Sequence, residues 1–152
     1  MRKPALLTLL LLAAWSAASA QDDLPAPKSL IEARNLEAMR LWTEEVWGKG
    51  RLELVSDLVA PQYVRHDADG TRVVTPEGYV QEIAAFRAVG MTFEGNAASI
   101  DGDLLWTRWS AHAQAPGGEE IVLKGIQVYR FADGKLAETW LLTANGEYWP
   151  DN

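Results

Sequence analysis

From Met91 onward the hydrophobic pattern of this chain alternates with a period of two, and three turn signals interrupt it. Asp101-Gly102, Pro116-Gly117-Gly118 and Asp133-Gly134 each read as hairpin connections, because glycine reaches the positive backbone angles that tight turns need. The pattern predicts strands at about 91–100, 103–115, 119–131 and 135–143. Strands joined by loops this short are antiparallel neighbours, so the C-terminal part is a meander.

Before Met91 the spacing is helical. Ser29 reads as an N-cap, with Glu32 three positions on completing a capping box. Ile31, Ala38, Met39, Trp42 and Val46 follow at helical intervals until Gly48 and Gly50. A short second helix is predicted over Leu52–Val59, broken at Pro61. Tyr63 to His66 reads as a brief extended piece, ahead of a turn at Asp67-Ala68-Asp69-Gly70. Thr75 caps a third helix with Pro76 at its first position; its stripe is Val80, Ile83, Ala84 and Phe86, and it ends near Gly90. Helices first and a meander after them make the fold class α+β.

The beginning of the chain has a different character. Met1-Arg2-Lys3-Pro4, an apolar run from Ala5 to Trp15, and Ser16-Ala17-Ala18-Ser19-Ala20 are the three regions of a secretory signal peptide cleaved after Ala20. The apolar run is too short for a membrane span, which takes about 20 residues. The expected organisation is therefore a signal peptide at 1–20, a polar linker at 21–28 (QDDLPAPK) and one domain at 29–152. The expected location is secreted or periplasmic. Without Arg2 and Lys3 the chain carries 12 basic against 21 acidic residues, a net charge of −9. That balance argues against nucleic acid or, after cleavage, a membrane as partner, because both attract clustered Lys and Arg. Cysteine is absent, which removes disulfides, thiol nucleophiles and thiolate metal sites. With only His66 and His112 beside the carboxylates, neither a metal nor a cofactor is expected.

Hairpin pairing carries the reading one step further. A two-residue turn at Gly117-Gly118 sets Trp106 opposite Tyr129 and Arg108 opposite Gln127. A two-residue turn at Asp133-Gly134 sets Gln127 opposite Trp140 and Tyr129 opposite Glu138. Trp106, Arg108, Ser110, His112, Gln127, Tyr129, Glu138 and Trp140 then share one face of three adjacent strands. Polar groups set among aromatics suit a small-molecule pocket; ordinary cross-strand pairs on a solvated or subunit-facing surface are the alternative. The other face, with Leu105, Thr107, Trp109, Ala111, Ile126, Val128 and Leu141, is more apolar. A one-residue slip at either turn exchanges the two faces.

The segments NLEAMRLWTEEVWGKGRLELVSDLVAPQYVRHD, TPEGYVQEIAAFRA, LLWTRWSAHA and KGIQVYRFADGKLAETW together resemble the SnoaL-like polyketide cyclases of the nuclear transport factor 2-like superfamily. The resemblance implies a cone-shaped, curved antiparallel sheet with three N-terminal helices closing a cavity, often as a homodimer. It fixes chemistry less, because the superfamily holds cyclases, isomerases, dehydratases and non-catalytic binders. The cyclases close a ring by aldol addition, using an Asp hydrogen-bonded to a His. Counted from the Asp133-Gly134 turn, those positions fall here on Leu141 and Gln127. Leucine cannot ionise, and an amide is no proton carrier near neutral pH.

Proton transfer would then pass to His66, His112 or Glu138. His66 matches a pocket-mouth His of the family and is the best-suited carrier near neutral pH; alternatively it only bonds Asp67. Arg108 either holds a carboxylate or enolate oxygen of a ligand or pairs with Glu138. Two expectations follow. One is an exported protein binding a small, partly apolar carbonyl compound, with His66 as catalyst of a cyclisation or isomerisation. Trp106, Arg108, His112, Gln127, Tyr129, Glu138 and Trp140 would form its binding site. The other is a non-catalytic binding or accessory module using the same cavity.

Overall fold

The computed structural model describes residues 24–146; the expected signal peptide lies outside them. Helix α1 (Leu30–Arg40) starts where the sequence places it, with the Ser29 side chain accepting from Glu32 N at 3.1 Å. Glu32 does more than close a box. Its carboxylate accepts from Lys28 N and from Gly102 N, while Asn35 Nδ2 donates to Gly102 O. The first helix thereby clamps the first turn of the meander. A π-helical segment, Leu41–Gly48, continues α1, and a short turn at Leu52–Leu54 leads into α2 (Val55–Leu58).

Strand β1 (Val59–Asp67) begins earlier than expected and runs through Pro61. Its pairing is irregular between Val59 and Val64, the kind of interruption at which a sheet tolerates proline. A strand absent from the sequence reading, β2 (Gly70–Val74), turns back on β1. Helix α3 (Pro76–Ala88) follows, with Thr75 accepting from Gly78 N. Strands β3 (Thr92–Asp101), β4 (Leu104–Gln114), β5 (Glu120–Ala132) and β6 (Lys135–Asn145) form the expected meander. All six strands make one sheet in the order β2-β1-β6-β5-β4-β3. Among the described residues only β1 and β6 pair in parallel. The helices cover one face of this curved sheet and leave a hollow between. Met39, Trp42, Val46, Tyr63, Ile83, Leu105 and Leu136 form the buried core and are essentially inaccessible. Among the described residues no helix is long and apolar enough to cross a membrane.

The register differs from the expected one at both hairpins. The β4–β5 loop has three residues, Pro116 to Gly118, closed by Ala115 N donating to Glu119 O at 2.8 Å. Gly118 takes a positive φ of 83°, as three-residue loops commonly require at their last position. Trp106 therefore pairs with Val128, Arg108 with Ile126 and His112 with Val122. The β5–β6 turn does have two residues, and Ala132 pairs with Lys135 as expected. A bulge at Ala137 then shifts the ladder, so Gln127 faces Leu141 and Tyr129 faces Thr139. One extra residue sends every later side chain to the opposite face.

Candidate functional site

The hollow under the helices is a cavity of about 790 Å³. Its floor comes from one face of the meander: Thr107, Trp109 and Ala111 of β4, Leu123, Gln127 and Tyr129 of β5, and Leu141 and Thr143 of β6. Its roof is Met39, Trp42 and Trp47 of the first helical stretch, with Tyr79 and Phe86 of α3. The aromatic rings form a continuous wall. Trp109 stands edge-on to Phe93 at 5.4 Å between centroids, Phe93 meets Trp47 at 4.6 Å, and Trp42 leans on Tyr79 at 5.4 Å. Such a wall is mostly apolar with a few fixed polar groups, the general composition of a ligand pocket.

Gln127 is the hub of those polar groups. Its Oε1 accepts from Trp109 Nε1 at 3.1 Å and its Nε2 donates to Thr139 Oγ1 at 2.9 Å. Thr139 in turn donates to Val128 O. The amide thus fixes the indole of Trp109, and Gly125 makes room for it. A Cβ on Gly125 would lie 2.2 Å from the indole ring. Across the cavity Tyr63, Tyr79 and Tyr129 are buried together. Burial, as the leading cause, holds all three phenols above their ordinary pKa, so they stay protonated near neutrality.

The expected site residues divide between the two faces of the sheet. Gln127 and Tyr129 line the cavity. Arg108 borders it beside Ala97, although its ladder partner is Ile126 on the outer row. Trp106, Glu138, Trp140 and His66 are brought together on the outer face. Trp106 and Trp140 flank Val128 there, and His66 stacks on Trp140 with centroids 5.3 Å apart. His66 Nε2 lies 2.8 Å from Glu138 Oε1, and its Nδ1 lies 2.8 Å from Thr71 Oγ1. The alternative pairing of His66 with Asp67 is not what the ring makes. Glu138 also accepts from Arg130 Nε at 2.9 Å. The His66 contact first, and Arg130 after it, hold its carboxyl below the usual range. Of the two alternatives for Arg108, the pairing with Glu138 is not made: His66 and Arg130 hold that carboxylate. His112 sits at a separate shallow cleft of about 520 Å³, its Nδ1 3.1 Å from Glu120.

The sequence pattern does not single out Arg65 or Tyr79, and it sets Thr107 and Trp109 on the more apolar face rather than in the pocket. Arg65 is the residue next to His66, and strand alternation turns it to the cavity side, where it pairs in register with Thr139. Its Nη1 donates to Glu82 Oε2 at 2.7 Å, and its guanidinium carbon stands 4.8 Å from the centre of the Tyr79 ring. The alternation of buried and exposed residues in β1 was the available signal for Arg65; nothing short of the correct loop length would have placed Trp109. Among the described residues no three His, Asp or Glu side chains converge as a metal site.

The two positions that the resemblance assigns to the cyclase His and Asp, Gln127 and Leu141, face each other directly across the ladder and both border the cavity. Comparison with solved structures extends the likeness. A candidate polyketide cyclase from Acidithiobacillus ferrooxidans is 26% identical, with 78% of this chain and 91% of that one covered and a TM-score of 0.64. A candidate SnoaL-like polyketide cyclase from Jannaschia sp. CCS1 shares 17% identity over 78% and 91% of the two chains, with a TM-score of 0.65. TerC, crystallised with polyporic acid, shares 16% over 73% and 92%, with a TM-score of 0.62. No curated protein matches the chain. The SnoaL-like domain matches residues 39–139, two-thirds of the sequence, from the C-terminal end of α1 to Thr139 in β6. The chain belongs to the SnoaL-like domain family.

Proposed function

We propose that this protein binds a small, flat, partly apolar carbonyl compound in the cone cavity and acts as a binding module rather than as an aldol cyclase. The carrying observation is the facing pair Gln127 and Leu141 on the cavity floor. Leucine offers no proton, and the amide of Gln127 is already committed to Trp109 and Thr139. His66, the expected proton carrier, is held by Glu138 and Thr71 on the other side of the sheet. The volume suits a ligand of two or three rings, and the aromatic wall favours flat ones. The crystallisation of TerC with polyporic acid supports a compound of this general kind.

The test is calorimetric titration with flat ketones and quinones, followed by mass spectrometry of the mixture. One-to-one binding without chemical change is expected. Thr143→Trp, at an exposed part of the cavity lining, should block it. Conversion of a bound compound that is lost in His66→Ala would overturn the reading in favour of an enzyme.

Two further parts of this reading concern the whole chain. The first is export, supported by the basic, apolar and small-residue regions at 1–20; the exported species should begin at Gln21 on N-terminal sequencing. The second is a homodimer. The outer face carries an apolar patch, with Trp106 38%, Ile126 45%, Trp140 39% and Leu142 71% exposed. A second copy related by a two-fold axis would cover it.

A further inference from the structure

Among the described residues the cavity is lined by three arginines, Arg65, Arg87 and Arg108, against one carboxylate, Glu94, in a chain whose net charge is −7. The lining is thus opposite in sign to the chain as a whole. Arg87 Nη1 is committed to the carbonyls of Trp47 and Gly48. Arg65 is different: it is only 8% exposed, yet borders the cavity. A guanidinium presents five donors in a fixed planar fork. Among the described residues its only hydrogen bond is from Nη1 to Glu82, and Nε is buried with no partner. A buried cation with unused donors is costly unless something accepts from it. Glu82 does not need Arg65 for its own satisfaction, since Arg72 donates to both of its oxygens.

We infer that Arg65 is an anion subsite in the cavity wall, taking a carboxylate, sulfonate or enolate oxygen of the ligand while the aromatic wall holds the ligand's flat body. The inference rests on the binding reading above and names its ligand class as organic acids, with Tyr79 and the protonated Tyr129 as neighbouring polar edges. Planar oxyanions match the guanidinium fork. Neutral ketones of the same shape would bind more weakly.

Two dyes with one ring body separate the subsite from the cavity. 8-Anilinonaphthalene-1-sulfonate carries an anion, and N-phenyl-1-naphthylamine is the same molecule without it. Fluorescence titration of the full chain should show the anionic dye binding about tenfold tighter, the effect of roughly one charge-assisted hydrogen bond. Arg65→Gln should abolish that preference and leave the neutral dye's affinity within about twofold. Leu142→Asp on the outer face should leave both affinities, and the preference, unchanged. If Arg65→Gln does not fold, Arg65→Lys carries the test: it keeps a cation for Glu82 but loses the fork, so the preference should fall. Equal affinities in the wild type, or a preference that survives at position 65, would overturn the subsite while leaving the cavity reading intact. Loss of both dyes in Leu142→Asp would place them outside the cavity and overturn the subsite too. If neither dye binds the wild type, the cavity reading itself falls.

Discussion

Trp109 and Gly125 show how narrowly single residues shape this cavity. The indole lies where a side chain on Gly125 would be and is pinned there by Gln127. Gly125→Ala must push the ring aside, an overpacking that costs about 1–3 kcal/mol. A lower melting temperature and a shifted Trp emission are expected; unchanged emission with full stability would show that the ring has room elsewhere. Arg108 tests the opposite case. Because Glu138 is held by His66 and Arg130, Arg108→Leu strands no carboxylate and should stay within about 1 kcal/mol of wild type. A collapse of roughly 3–5 kcal/mol, the signature of a broken buried pair, would mean that Arg108 is a structural strut after all.

The β4–β5 hairpin carries the difference between the expected and observed sites. Gly118 holds a φ of 83° while Gly117 does not take a positive angle, and neither would meet a neighbour through an added Cβ. Gly118→Val should therefore cost about 1 kcal/mol or more through backbone strain, whereas Gly117→Ala should be nearly silent in a thermal melt. Equal effects would argue for another loop conformation. The four meander strands, the first helix cap and the Thr75-Pro76 start of α3 were legible because each rests on local chemistry. Strand β2 was not: Thr71 to Val74 is short and largely exposed, so it offers no alternation to read. Loop length was ambiguous between two and three residues, and the bulge at Ala137 leaves no trace beyond two successive buried residues, Leu136 and Ala137. Those two single-residue shifts moved Trp106, Glu138 and Trp140 from the expected pocket to the outer face. Gln127 and Tyr129 remained in it, because both shifts act on their partners.

At the scale of the molecule, two carboxylates tie the sheet's edge together. Glu82 of α3 bonds Arg72 of β2 and Arg65 of β1, and Glu138 joins β6 to His66 of β1 and Arg130 of β5. Arg72 first holds the Glu82 carboxyl low, as His66 does for Glu138. Stability from such groups is complete above the ordinary glutamate value of about 4.3 and is lost as pH falls through their lower folded values. Melting temperature should therefore drop on acidification below that value, less steeply in Glu82→Gln; equal slopes would remove Glu82 as the cause. In the proposed homodimer the two copies meet through the outer face. Trp106, Val128 and Trp140 lie in one row, with Ile126 and Leu142 in the next. An open apolar surface of this kind on a small domain invites a partner, and a second copy supplies the same rows in a closed two-fold arrangement. Sedimentation at micromolar concentration should show a dimer, and Leu142→Asp should yield a monomer that still binds dye, because position 142 faces away from the cavity. Trp109→Lys, on the cavity floor, should instead damage the cavity and spare the dimer. If the wild type sediments as a monomer and Leu142→Asp changes nothing, the outer rows are not where two copies meet.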